Sequence, residues 1–131
     1  ILHIADATAE ALVNDGITKV GLLGTNFTME QAFYKDRITS KYGIEVIVPA
    51  EKERQAVHDI IYNELCLGTI KDDSRAKYLK TISTLHANGA QAVILSCTEI
   101  ALLVSQTDTP VPLYDTTEIH AAQAVAFALK P

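Results

Sequence analysis

Residues 92–103 read Ala-Val-Ile-Leu-Ser-Cys-Thr-Glu-Ile-Ala-Leu-Leu, an apolar run that stops at a short polar stretch and then resumes with helix-forming residues. This order predicts a buried strand, a turn that presents Cys97, and a following helix. Ligands bind at the carboxyl ends of strands in a parallel α/β sheet, where the first N–H groups of the next helix are unpaired. The turn therefore predicts a ligand site that contains a thiol.

The sequence is compatible with two roles for Cys97. At a helix N-terminus, the unpaired donors and the helix dipole would stabilise a thiolate and lower the pKa of Cys97 from about 8.5 towards neutrality. The alternative is a packing role, because free cysteine is among the most buried residue types. The side chains of Thr98 and Glu99 favour the chemical role, since a packing cysteine has no need of them. We expect Cys97 to be more reactive than Cys66, which lies inside a predicted helix.

The rest of the chain alternates between helical and strand periodicity with short connections, a pattern that is typical of a parallel sheet flanked by helices. The predicted strands are residues 19–23, 44–48, 92–95 and 111–114. The predicted helices are residues 1–14, 29–41, 51–67, 72–85, 98–104 and 117–131. No linker is long enough to separate two domains. The sequence therefore predicts one α/β domain over residues 1–131, a three-layer αβα arrangement with a mainly parallel sheet of about four strands.

Three polar patterns predict where helices begin. Thr28-x-x-Gln31 has the spacing of a capping box, in which the first side chain bonds to N–H groups of the first helical turn. The Asp-Asp-Ser sequence at residues 72–74 offers oxygen atoms for an N-cap. Asp115-x-x-Glu118 repeats the capping-box spacing and opens the closing helix.

The composition excludes several classes of partner. The chain has 131 residues, of which 48% are hydrophobic and 21% are charged, as in an ordinary globular domain. A net charge of -5 argues against nucleic acid or an anionic membrane as partner. Apolar stretches fall far short of the ~20 residues that cross a bilayer, and no signal segment opens the chain. A catalytic thiol requires reducing surroundings, which predicts a cytoplasmic location.

No metal or cofactor site is predicted. The four histidines lack metal-ligand spacing with one another or with either cysteine. Gly21-Leu-Leu-Gly24 lacks the spacing of a dinucleotide-binding fingerprint. The turn at residues 24–28 instead offers the hydroxyls of Thr25 and Thr28 and several N–H groups at a helix start, which suit a small carboxylate. The alternative is that Thr28 only caps the helix and Thr25 only completes the turn.

Several short segments follow one another in an order and spacing that one protein family shares. They are Gly21-Leu-Leu-Gly-Thr25 with Phe27-Thr28-Met29, Glu45-Val-Ile-Val-Pro49, Ile61-Tyr62-Asn-Glu64-Leu65 with Gly68 and Ser74-Arg75, Cys97-Thr98-Glu99-Ile100, and Pro112-Leu-Tyr-Asp115-Thr116-Thr117 with His120-Ala121. By this ordered set, nearly the whole chain resembles the second half of a member of the aspartate/glutamate racemase family.

The resemblance implies racemisation of an acidic amino acid, aspartate or glutamate, without pyridoxal phosphate or metal. Two cysteines on opposite faces of the α-carbon would exchange its proton. Cys97 matches the second of these cysteines, and Thr98 matches a residue that binds the substrate α-carboxylate. Glu99, the acidic residue of the motif beside it, is expected to bind the substrate as well. The loop that carries Thr25 and Thr28 lies near the substrate in similar proteins.

The resemblance also implies a larger protein. The chain begins with Ile1 inside a predicted helix, and family members have a preceding half of similar fold that carries the other cysteine. The two halves pair about a pseudo-two-fold axis, so the closing helix 117–131 would pack on the absent first domain. Similar proteins commonly form dimers. We therefore expect the isolated chain to be inactive as a racemase.

Some positions depart from the family pattern. Cys66 lies in a helical context and does not replace the first cysteine, and Ser96 stands where a glycine is common. Asn26 occupies a position that is often basic. No motif identifies the cation that would bind the distal carboxylate of the substrate. It could be Lys71, Arg75 or neither of them.

Two other functions are also compatible with the residues. Cys97 could act as a nucleophile in acyl or amidine chemistry with a histidine such as His120 as base. The chain could also be a non-catalytic fragment that only binds a small anion or a partner. The predicted sheet also gives a geometric expectation: Thr25, Cys97, Thr98 and Asp115 should converge at one edge of the sheet, because each follows a proposed parallel strand.

Overall fold

The computed structural model describes residues 4–25, 29, 32–119 and 121–122. The helices are α1 (Ile4–Asn14), α2 (Ala32–Tyr42), α3 (Glu51–Asn63), α4 (Asp72–Ala87) and α5 (Ile100–Leu103). The strands are β1 (Lys19–Leu23), β2 (Glu45–Ile47), β3 (Ala92–Leu95) and β4 (Leu113–Asp115). Two short 3-10 helices lie at Leu65–Leu67 and Gln106–Asp108, and residues 116–119 and 121–122 are helical.

The four strands form one parallel sheet in the order β2-β1-β3-β4. Helices cover both of its faces, so the predicted α/β architecture with a parallel sheet of about four strands is confirmed. β1 and β3 lie at the centre, and all four side chains of β3 are buried. A strand buried on both faces requires the continuous apolar run of residues 92–95.

Two apolar clusters lie on the two faces of the sheet. One includes Tyr78 and Ile82 of α4 and Val57 of α3, packed against Val93 and Leu95 of β3. The other joins helices α1 and α2 to the opposite face, and its members are Ala9, Leu12, Val20, Leu22, Ile38, Ile44, Ala92 and Ile94. Alternate residues of β1 and β3 thus point to opposite helical layers, as the period of a strand requires.

Gly21 serves close packing of helix α4 on β1. A Cβ atom at this position would lie 2.9 Å from Cδ1 of Leu85. The glycine therefore lets α4 approach the centre of the sheet. Among the described residues, no helix combines the length and apolar character needed to cross a bilayer.

Helix starts and ends differ most from the sequence predictions at three places. The predicted helix 51–67 stops at Asn63, because Glu64 leaves helical geometry at φ -127° and a 3-10 turn follows. The predicted N-cap at residues 72–74 is wrong, since Lys71 occupies the cap position and lies in extended geometry. Ser74 instead donates to Glu64 Oε1 at 2.5 Å and is 3% exposed. Helix α5 begins at Ile100, two residues later than predicted.

The predicted start of the closing helix is confirmed. Asp115 Oδ1 accepts from the backbone N–H groups of Thr117 at 2.9 Å and Glu118 at 3.3 Å. These bonds are those of an N-cap, and residues 116–119 are helical. The predicted capping box of Thr28, and most of the closing helix 117–131, lie outside the described residues.

Candidate active site

The ends of three adjacent strands meet at the candidate site. Leu23 of β1 is in register with Leu95 of β3, which is in register with Asp115 of β4. The backbone N–H of Ser96 donates to the Leu23 carbonyl at 2.9 Å. The hydroxyl of Thr116 donates to the Leu95 carbonyl at 3.3 Å. The turns after β1, β3 and β4 therefore lie at one edge of the sheet, as the sequence predicts.

Ser96 anchors the turn that carries Cys97. Its hydroxyl donates to the same Leu23 carbonyl as its backbone N–H does, at 2.8 Å. This carbonyl thus accepts two bonds from one residue, which ties the end of β3 to the end of β1. A side chain at this position therefore has a structural role that a glycine could not fill.

The Cys97 thiol is half-buried and packs against the apolar cluster that contains Tyr78. It donates a hydrogen bond to Glu99 Oε2 at 2.8 Å. Burial, followed by this bond to Glu99, raises the pKa of Cys97 to about 11. The thiol is therefore protonated at neutral pH.

The prediction of a lowered Cys97 pKa is wrong, and the geometry of the turn gives the reason. Helix α5 has only four residues and begins at Ile100, so its dipole is small. The N–H of Ile100 bonds to the carbonyl of Cys97 at 3.1 Å. Among the described residues, the charged group in hydrogen-bond contact with the thiol is the Glu99 carboxylate, which would repel a thiolate.

Glu99 lies against the thiol. The hydrogen bond from Cys97, together with one from its own backbone N–H, holds the pKa of the Glu99 carboxyl below its usual range. Glu99 is therefore a carboxylate at neutral pH. Between these two residues, the exposed Thr98 occupies the outer side of the turn.

The loop after β1 lies at the same edge. The Thr25 carbonyl accepts from the Met29 N–H at 2.9 Å, and the Met29 side chain is fully buried in the cluster beneath the site. Met29 thus anchors the end of this loop to the buried core. The structure places Thr25 at the edge shared with Cys97, and Thr28 and Asn26 lie outside the described residues.

Cys66 lies closer to Cys97 than the sequence indicates. It is exposed in the 3-10 turn Leu65–Leu67, and this turn contacts helix α5. After burial and Glu99, a charge on Cys66 also contributes to the raised pKa of Cys97. Sequence reasoning missed this proximity, because it depends on the break of α3 at Glu64. Both thiols are free.

The two candidate cations differ in their contacts. Arg75 Nε donates to the Leu103 carbonyl at 2.8 Å, and Nη1 pairs with Asp72 at 2.5 Å. Arg75 therefore joins the start of α4 to the end of α5, beside a cavity of about 270 Å³. Lys71 is exposed at the N-cap of α4.

The described histidines have structural contacts. His58 lies against the Tyr62 ring with centroids 4.7 Å apart, and His86 Nδ1 lies 2.9 Å from the Ala90 carbonyl oxygen. His3 and His120 lie outside the described residues. In the part of the chain that the structure describes, no group of three or more His, Cys, Asp or Glu residues could hold a metal ion.

Comparisons with known proteins agree on one family. The family model described as Asp/Glu/hydantoin racemase matches residues 1–124. A solved structure from Yersinia pestis, assigned as an Asp/Glu racemase, is 55% identical with a TM-score of 0.95, over 98% of this chain and 56% of that chain. An aspartate racemase homologue from Pyrococcus horikoshii is 34% identical with a TM-score of 0.90, again over 98% and 56%. An aspartate racemase from Picrophilus torridus is 25% identical with a TM-score of 0.68, over 89% and 48%.

The fold and the matches define a racemase-type α/β domain. This chain belongs to the Asp/Glu/hydantoin racemase family. An uncharacterised protein from Pectobacterium carotovorum is 27% identical over 110 residues, which is 81% of this chain and 69% of that protein. The chain spans about half the length of the solved relatives.

Proposed function

We propose that the chain is the second domain of a cofactor-independent amino-acid racemase and that Cys97 is its acid/base. The observation that carries this proposal is the position of Cys97 at the carboxyl end of the central strand β3, hydrogen-bonded to Glu99, in a chain of the racemase family. The substrate is an acidic amino acid, aspartate or glutamate. Its distal carboxylate distinguishes it from other amino acids, and the relatives carry these names.

The reaction needs proton exchange at a weakly acidic carbon. A base removes the α-proton from one face, and an acid delivers a proton to the other. A cysteine can alternate between both roles, with the S–H bond made in one direction of turnover and broken in the other. Cys97 covers one face, and a second cysteine in the preceding half of the protein covers the other.

Binding of the substrate α-carboxylate is assigned to the polar groups around Cys97. Thr98 is exposed next to the thiol, and Thr25 lies at the same edge in the loop after the neighbouring strand β1. Thr28 completes this set as the second hydroxyl of the loop after β1. Hydroxyl and backbone N–H donors at this place would stabilise the carboxylate as it gains enolate character.

The distal carboxylate requires a cation. Arg75 has two of its nitrogen atoms in bonds to Leu103 and Asp72, whereas Lys71 is exposed. These contacts favour Lys71 over Arg75 within this chain. A cation from the preceding half of the protein is the alternative.

The assembly follows from the two-cysteine mechanism. A first domain with the other cysteine would face this one across the substrate, and we expect residues 117–131, which the sequence predicts as a closing helix, to pack on that domain. From the resemblance to proteins that commonly form dimers, we also propose a dimer for the natural gene product, in the cytoplasm, where both thiols stay reduced. The isolated 131-residue chain would not racemise either amino acid, because its other thiol, Cys66, lies in the same domain as Cys97.

The test is racemisation by the natural gene product that contains this chain. L- and D-aspartate and L- and D-glutamate are incubated with the wild-type protein, with Cys97→Ser and with the matched control Cys66→Ser, and the enantiomers are separated by chiral chromatography. We expect Cys97→Ser to lose at least about 10²-fold in rate and Cys66→Ser to keep the wild-type rate. Equal rates for wild type and Cys97→Ser would overturn the assignment.

A further inference from the structure

We propose that Glu99 is a positioning residue that holds Cys97 in its protonated form, so that the resting site offers Cys97 as proton donor and only afterwards as base. This inference rests on the proposed function of Cys97. The Cys97–Glu99 contact of 2.8 Å between Sγ and Oε2 carries it, because two anions would not lie at this distance and the shared proton belongs to the sulfur, since a carboxyl group is a much stronger acid than a thiol.

The surroundings of the pair support the same conclusion. The Cys97 thiol packs on one side against the apolar cluster, in which burial raises the pKa of Tyr78 and keeps its hydroxyl neutral. The exposed Cys66 of the neighbouring 3-10 turn adds only repulsion, so neither group would stabilise a thiolate. The polar contact of Cys97 is an anionic side chain that is only partly buried. Loss of the proton would leave two negative charges at hydrogen-bond distance in a half-buried place, which is unfavourable for both groups.

The proposal sets an order for the proton steps. The base on the opposite face removes the α-proton first, and the electron pair of the broken C–H bond is delocalised into the substrate carboxylate. Cys97 then gives its S–H proton to the α-carbon and becomes a thiolate beside Glu99. Repulsion by Glu99 makes this thiolate take a proton back. The proton comes either from solvent, while the opposite base releases its own proton to solvent, or from the α-carbon of the next substrate molecule of the opposite configuration, to which the opposite base then gives its proton.

The first experiment measures the ionisation of Cys97 without reference to turnover. Thiolate absorbance near 240 nm is titrated in the natural gene product, and the signal of the corresponding Cys97→Ser variant is subtracted. We expect the midpoint of Cys97 to fall by at least one pH unit in Glu99→Gln. Glu99→Asp, which keeps the charge, should hold a high midpoint, and Glu51→Gln, which removes an exposed charge on α3, should leave it unchanged.

The second experiment measures catalysis against pH. Here the rates kcat and kcat/KM are followed for each enantiomer from pH 6 to 12, a range that includes the pKa of about 11 for Cys97. For the enantiomer that needs Cys97 as acid, we expect the basic limb of the Glu99→Gln profile to move to lower pH, with the other limb unchanged. A role of Glu99 in folding or substrate binding alone would instead lower the rate or raise KM at every pH.

Three outcomes would overturn the inference. They are a wild-type Cys97 midpoint at or below about 8.5, an unchanged midpoint in Glu99→Gln, and an identical shift in Glu51→Gln. The midpoint of Cys97 in the wild-type protein can be measured even if Glu99→Gln does not fold, so the first of these outcomes is always tested. A racemase that lost no activity in Cys97→Ser would refute the proposed function but would leave the thiol titration interpretable, so the two failures are distinguishable.

Discussion

Ser96 donates two hydrogen bonds to the carbonyl oxygen of Leu23, from its backbone N–H at 2.9 Å and from its hydroxyl at 2.8 Å. Through this contact the end of β3, where Cys97 follows, is fixed to the end of β1. In Ser96→Ala the N–H bond remains, so we expect a loss of only about 1 kcal/mol in the free energy of unfolding, measured by urea denaturation. Stability equal to wild type within error would show that the hydroxyl bond contributes nothing.

The two thiols should differ in their rate of alkylation, in the order opposite to that predicted from the sequence. Cys66 is exposed, whereas Cys97 is half-buried with a pKa raised to about 11, and only the thiolate is alkylated readily. We therefore expect iodoacetamide at pH 8 to label Cys66 first, as followed by peptide mass spectrometry. Cys66→Ala serves as the control in which Cys97 is labelled alone. Faster labelling of Cys97 at pH 8 would contradict the observed thiol environment.

Tyr78 contributes a buried hydrogen bond beneath the site. Its hydroxyl donates to the Val57 carbonyl at 2.8 Å, and the side chain is fully buried. Tyr78→Phe leaves this carbonyl without that bond, so we expect a loss of about 1–3 kcal/mol in the free energy of unfolding. Tyr62→Phe is the matched control, because Tyr62 is 54% exposed and should change stability little. Equal effects of the two substitutions would disprove the role of the buried bond.

Asp6 links helix α1 to helix α2 and makes the free energy of unfolding depend on pH. Its carboxylate accepts two hydrogen bonds from Arg37, at 3.0 and 2.7 Å, and these hold the pKa of Asp6 at about 2. Because the pKa is lower in the folded state, this contribution is complete above pH 4 and is lost as the pH falls towards 2. We expect the difference in urea midpoint between wild type and Asp6→Asn to be larger at pH 6 than at pH 2.5. A difference that does not change with pH would contradict this assignment.

The architecture could be predicted from the sequence because its signals are local. The continuous apolar run of residues 92–95 and the alternating periodicity elsewhere determine a parallel sheet covered on both faces. The cap at Asp115 is also a local pattern, and it is confirmed. The same logic placed the turns after β1, β3 and β4 at one edge, since the ends of adjacent parallel strands meet there.

The features that sequence did not predict depend on tertiary contacts. The break at Glu64 is accompanied by a bond from Ser74, ten residues later, which also removes Ser74 from the predicted N-cap. The ionisation of Cys97 depends on its burial and on the direction of the Glu99 side chain, neither of which a motif specifies. The proximity of Cys66 follows from the same break.

Exchange of the substrate α-proton with deuterium from solvent is the most direct measurement of the central claim. Each enantiomer of aspartate and glutamate is incubated in D₂O with the natural gene product, and loss of the α-proton signal is followed by NMR. The account predicts that Cys97→Ser slows exchange by at least about 10²-fold for one enantiomer and less for the other, while Cys66→Ser exchanges both at the wild-type rate. Wild-type exchange of both enantiomers by Cys97→Ser would show that Cys97 does not move the proton.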